Sequence, residues 1–418
     1  MAILTATATV TVIRIMNEIN SAFLNILKCA LSGVKAPDLH HFTQNQWETL
    51  ISLSMEQKVL PLVYDVIHSQ LPLPQLRTTA RHHIMVQTMK TDSFIRLYEK
   101  FRANGVRPIV VKGIVCRSLY PKPDLRPSSD EDILVDPYQL AKVVNTLEQY
   151  GLSTLETDPN AYEFPFRSRK DPLYIELHRS LFQPKSDSYG HWNELFSDVF
   201  GSDYEIEYLN TRIRTLTPTQ HLLYLICHAL KHFVHSGFGI RQVSDMVLFA
   251  NHYGHDIDWK LLHEQCKRIH AECFAASVFE IGFRYLTFDP DLACYPAYWR
   301  SIAADPSNLL DDMLCSGIYG TVSATRQHSS NMTLNAMRSD GGVGQKSSIL
   351  RSIFPAAKDI SGQYPYLNRN PILLPCAWIH RICKYGKELF SNQNSSAIES
   401  VQIGKQRVEL LRQYGVIK

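Results

Sequence analysis

The chain has 418 residues, 45% of them hydrophobic and 20% charged, which is globular composition and too much for one ordinary core, so two or three packed units are expected. A net charge of +3 permits a phosphate-bearing ligand but gives no basis for a dedicated nucleic-acid binder. Nine scattered cysteines without a C-x-x-C pair argue against a zinc ribbon or a redox dithiol and fit reduced cytoplasmic thiols, and no apolar stretch is long enough to cross a membrane.

The opening "MAILTATATVTVIRI" is apolar and rich in threonine, but it has neither a basic start nor a small-residue cleavage pattern. It reads as a short extra strand or a disordered tip rather than a signal peptide. Residues 15–104 then carry apolar positions three and four apart and form an N-terminal helical region. Within it, Gly33 and Gly105 are suited to stop helices, and Thr43 or Asn45 to start one.

The texture changes at residue 105. β-Branched and apolar runs predict strands near 107–112, 130–135, 161–167 and 172–179, the last two as a hairpin around "SRKDP". Helices alternating with the first two strands suggest a partly parallel sheet, so 105–215 reads as an α/β core. Helical periodicity returns over 216–300, opening with Thr217 as cap and Pro218 in the first turn. Residues 301–418 read as a linker and a helical tail, with 318–350 poor in large apolar groups and expected to be a mobile loop or linker.

The chemistry gathers at "RPSSDEDILVD", where Asp130, Glu131 and Asp132 stand at the mouth of an apolar strand. Asp130 and Asp132 are two apart, so on a strand they share a face. Such a pair repels itself unless a divalent cation lies between, and Mg²⁺ is the natural candidate because it shares its shell with substrate phosphates. Glu176, in the apolar setting "LYIELHRSL", is the third carboxylate best placed to join them. His178 shares its strand face and is either a substrate contact or a hydrogen-bonded core histidine. Upstream, Lys112-Gly113 closes a strand and opens a helix, a place where backbone amides favour anions, while Lys112 and Arg126 could add charge for a triphosphate.

Lys112-Gly113, Tyr120-Pro121, Arg126, Asp130-x-Asp132 and Glu176-Leu177-His178 resemble, in that order, the uncharacterised nucleotidyltransferase family of bacteria. That family is a branch of the DNA polymerase beta-like superfamily, and the resemblance covers most of 40–290 and parts of the tail. It implies a polymerase beta-like sheet flanked by helical regions. It also implies catalysis and metal binding by Asp130, Asp132 and Glu176, nucleotide binding by Lys112, Gly113, Arg126 and Ser129, and contact with substrate by His178. The implied reaction moves a nucleoside monophosphate from an NTP such as ATP to a hydroxyl of a small molecule, peptide or protein, with Mg²⁺ (Mn²⁺ as the alternative). Two departures bear on phosphate binding: Lys112-Gly113 replaces the superfamily's Gly-Ser, and Glu131 stands where an apolar residue is commoner.

Two rivals stay open. One is a catalytically inactive nucleotide-binding regulator or assembly protein of the same fold. The other is a helical-region metallohydrolase built on His228 and His232, which share a helical side with His221 and His235 but have no acidic partner nearby in sequence. The run "GGVGQKSS" fails as a P-loop, because Gln345 rather than glycine precedes Lys346.

Overall fold

The computed structural model describes residues 18–71, 75–154, 156, 158, 161–235, 237–316, short stretches between 330 and 380, and 396–418. The expectation for the N-terminal tip lies outside the described residues, as do "GGVGQKSS" and most of 318–350. The described part of that last segment differs from a mobile loop, since Met332 and Thr333 are buried and the Thr333 hydroxyl donates to the Val234 carbonyl.

The N-terminal region folds as α1 (18–32), α2 (Gln44–Glu56), α3 (Leu60–Ile67) and α4 (Gln75–Ala103). Thr43 starts α2 in a capping box: its hydroxyl accepts from Gln46 N–H, and the Gln46 side chain accepts from Thr43 N–H at 2.9 Å. One apparent helical run is broken at Lys58, whose φ of +53° cannot continue a helix and separates α2 from α3. In α4, Phe94, Leu97, Tyr98 and Phe101 follow helical spacing and are fully buried, forming the stripe that faces the core.

The sheet contains β1 (Ile109–Val111), β2 (Glu131–Leu134), β3 (Leu152–Thr154), β4 (Glu163–Ser168) and β5 (Tyr174–His178), in the order β1-β2-β5-β4-β3. The parallel pair is β2 with β5, whereas β1 runs antiparallel to β2. The element between β1 and β2 includes only the five-residue α5 (Gly113–Arg117), too short for a parallel crossover. The expected hairpin is β4 and β5, and α6 (Leu140–Tyr150) ends at Gly151, which takes φ +101°.

Two further strands, β6 (Glu205–Tyr208) and β7 (Thr211–Arg214), form a separate hairpin. Its turn residues Leu209 and Asn210 both have positive φ, 49° and 61°, as a tight hairpin turn requires. Helices α7 (Pro218–His235), α8 (Ile240–Tyr253), α9 (Trp259–Arg268), α10 (Glu272–Tyr285), α11 (Ala297–Ile302) and α12 (Ser307–Ser316) follow, and α13 (Ser396–Gln413) closes the chain. One continuous apolar cluster runs from Ile19 to Ile417 and joins all these regions.

Candidate active site

Strand periodicity and register build the site. β2 sends Glu131 to one face and Asp132 to the other, and the parallel register sets Asp132 beside Glu176 and Leu134 beside His178. The β4–β5 register sets Glu163 beside His178 on that same face. Ligand atoms of Asp132, Glu176 and His178 thus lie within 4.8 Å of one another, the one such grouping of three among the described residues. His178 Nε2 is 3.1 Å from Asp132 Oδ1 and 3.8 Å from Glu176 Oε2, while its Nδ1 is 3.8 Å from Glu163 Oε2.

The charges in this face are strongly coupled. Burial pushes the Glu176 carboxyl up to about 9, helped by the neighbouring charges of Asp132 and Asp130. Asp132 goes the other way: burial opposes its charge, but Lys112 and His178 outweigh burial and hold it below the usual carboxylate range. Lys112 Nζ sits 2.7 Å from Asp132 Oδ2. Asp130 is half-buried just ahead of β2, and its charge acts on Lys112 and Glu176.

Lys112 owes its position to a clamped backbone with φ 58° and ψ −117°, a conformation rarely adopted outside glycine. Its N–H donates to His221 Nε2 at 3.0 Å, and its carbonyl accepts from Cys116 N–H at 2.9 Å. The Thr215 hydroxyl donates to the Val110 carbonyl at 2.6 Å, so it accepts from His221 Nδ1–H at 3.1 Å. That chain of bonds fixes the neutral tautomer of His221, and burial lowers its pKa to about 3.

Gly113 has a local reason for its identity. A Cβ there would lie 2.1 Å from Glu131 Oε2, at a φ of +24°. Glu131 is fully buried; it accepts from Ile114 N–H at 2.8 Å and from the Arg117 guanidinium at 2.5 Å. The anion at the start of α5 is therefore the protein's own carboxylate.

Arg126 is equally committed. It is buried and makes a two-pronged pair with Asp245 of α8, at 2.6 and 2.7 Å, and also donates to the Gly113 carbonyl at 3.3 Å. Tyr120 donates to the same aspartate at 2.8 Å. Ser129 is exposed at the lip of the site, and its carbonyl, with that of Ser128, accepts from Lys90 Nζ at 2.7 and 2.6 Å.

Of the residues expected from sequence, Lys112, Asp132, Glu176 and His178 converge on one face. Arg126 and Gly113 sit behind that face in the supporting structure. Three partners were not expected: Asp245, Glu163 and the Arg117–Glu131 pair. His228 and His232 do line the site, with His228 Nε2 3.4 Å from Lys112 Nζ and 3.2 Å from His232 Nε2. Both are pushed well below the ordinary histidine range, first by burial. A family described as uncharacterised nucleotidyltransferase matches residues 43–286, well over half of the chain.

The chain belongs to this nucleotidyltransferase family. No curated protein and no solved structure matches it. The nucleotidyltransferase is thus an enzyme of nucleotidyl transfer, and the matched span runs from α2 through α10, holding every side chain of the site. Among its described residues no helix is long and apolar enough to cross a membrane.

Proposed function

We propose that the enzyme moves a nucleoside monophosphate from an NTP to a hydroxyl of a small molecule, peptide or protein, with Mg²⁺ as working cation and Mn²⁺ as alternative. The observation that carries this reading is the group of buried Asp132, half-buried Glu176 and buried His178, with ligand atoms within 4.8 Å and the Glu176 carboxyl pushed up to about 9. Carboxylates crowded in a dry face are costly unless a cation joins them. Two carboxylates and an imidazole suit a divalent ion, with the nitrogen widening the choice toward Mn²⁺. Asp132, Glu176 and His178 would hold it, with the charge of Asp130 near enough to act on Glu176. A bound ion supplies charge stabilisation at phosphoryl oxygens and eases ionisation of a hydroxyl.

The remaining work falls to the chain's own groups. Lys112 contributes positive charge for the triphosphate, with Lys58, Lys231 and Arg241 close enough to couple to the same face. Ser129 lies at the exposed lip where a nucleotide would enter. Gly113 and Arg126 act from behind, holding the β1–α5 junction and the loop before β2. In its ionised form Glu176 would take the acceptor hydroxyl's proton as that oxygen attacks the α-phosphorus. The bond from this phosphorus to the bridging oxygen breaks, and pyrophosphate leaves. Free cysteines fit a reducing cytoplasm as the setting.

A second reading, a nucleotide-binding regulator without catalysis, draws on Glu131, which fills the α5 amide end with the protein's own anion. Calorimetric titration of the four NTPs, with and without Mg²⁺, separates the readings when wild type is compared with Asp130→Asn/Asp132→Asn. Binding that needs the ion and disappears in the double variant is expected, followed by pyrophosphate release once an acceptor is supplied. NTP binding indifferent to both the ion and the substitutions would overturn the metal mechanism in favour of the regulator.

A further inference from the structure

If a divalent ion works at Asp132, one cation already stands in its way. Lys112 Nζ lies 2.7 Å from Asp132 Oδ2, and the two side chains are 13% and 3% exposed. Both backbone groups of Lys112 are tied, the N–H to His221 and the carbonyl to Cys116, so only its side chain is free to move. On the far side of the ammonium stands His228. Gln242 accepts Gly239 N–H at 2.9 Å through its carbonyl oxygen, so its NH₂ faces His228 Nδ1 at 3.4 Å. The ring proton of His228 therefore sits on Nε2, which cannot accept from Lys112. Among the described residues, no other carboxylate lies within ion-pair distance of this ammonium.

We propose that Lys112 is a resident counter-ion that keeps bare divalent ions off Asp132 and leaves it only for triphosphate oxygens, so that ion and nucleotide enter together. This rests on the metal-dependent reading above. Two cations cannot share one buried carboxylate oxygen without strong repulsion, and moving the ammonium away leaves a desolvated charge without its partner. A triphosphate removes both costs. It offers the ammonium new anionic oxygens and brings the divalent ion with it. Backbone amides at the start of a helix ordinarily favour anions, and here that end is taken by Glu131. A swinging lysine takes over that duty while also guarding the metal position.

The test titrates Mn²⁺ alone into the full-length protein and follows free Mn²⁺ by electron paramagnetic resonance. Wild type, Lys112→Met, Lys112→Arg and Lys112→Met/Asp132→Asn are compared, with Lys112→Gln as the second neutral variant should methionine disturb folding. Lys112→Met should bind Mn²⁺ roughly tenfold tighter than wild type or better, since the competing cation is gone. Lys112→Arg should stay weak, and Asp132→Asn should erase the gain. Mn²⁺ binding no tighter than wild type in both neutral variants overturns the proposal. Repeating the titration with ATP keeps the two ideas apart. Asp132-dependent Mn²⁺ binding with ATP, but no gain without Lys112, leaves the metal mechanism standing and removes only the counter-ion. Absence of Asp132-dependent binding under every condition removes both.

Discussion

Glu176 shows what a single residue costs the fold to serve the site. Its carboxyl titrates near 9 in the folded protein against an ordinary value of 4.5. Between those values the folded state keeps a proton that the unfolded state releases, so stability falls as pH rises from 4.5 toward 9. Glutamine holds no such proton. Glu176→Gln should therefore be more stable than wild type at pH 8 by roughly 2–4 kcal/mol in the absence of metal, while losing nucleotidyl transfer. The advantage should vanish near pH 4.5, where both forms are neutral. Urea unfolding at the two pH values decides it, and an equal difference at both would mean that the carboxyl is not strained by burial. Glu176 was legible in the sequence because it follows Asp130 and Asp132 in a family-like motif order; alone, it could equally have been half of an ion pair with Arg179 or Arg167. Glu131, one residue from Asp132, was not, because strand alternation says only that it faces away and not that Arg117 waits there.

At the scale of elements, the loop between α5 and β2 is bolted from both sides. Helix α4 holds it through Lys90 to the carbonyls of Ser128 and Ser129, and through Gln87, which accepts Ser128 N–H at 2.8 Å. Helix α8 holds it through Asp245 on Arg126 and through Arg241, which donates to the Pro127 carbonyl at 2.5 Å. Removing one partner of a buried pair strands the other charge, which costs more than the pair itself contributes. Asp245→Asn should lower unfolding free energy by about 3–5 kcal/mol and loosen the start of β2, weakening the proposed Mg²⁺-dependent NTP binding. Denaturant unfolding and amide exchange over residues 123–132 would register this, and unchanged protection there would show that the bolt is dispensable. Asp245 lies 119 residues from Arg126, so no local pattern joins them, and the arginine alone invited a phosphate role. The β6–β7 hairpin was silent for a different reason. Its turn is Leu209-Asn210 rather than Asn-Gly, and although "EIEY" and "TRIR" alternate as strands do, four residues each is too short a run to stand out.

Across the whole molecule, the family match ends at residue 286, yet the apolar core continues to Ile417. Helix α13 is the far anchor. Its Arg407 is buried and donates to the carbonyls of Phe233 and His235, which end α7 and would otherwise lack helical partners. Tyr414 is fully buried, accepts Leu309 N–H at 3.0 Å and donates to the Asp305 carbonyl at 2.8 Å. Helix α7 is also the helix that carries His221 and His228 against Lys112. A tail outside the matched span thus steadies the wall of the site from behind. Arg407→Ala should lower unfolding free energy by about 2–4 kcal/mol, since it opens a cavity and leaves two carbonyls without donors. Deleting 396–418 should go further, lowering the midpoint of thermal unfolding and opening the end of α7 and residues 305–309 to proteolytic cleavage. Thermal unfolding of both variants at their wild-type midpoint, together with limited proteolysis, would make α13 an independent appendage if nothing changed.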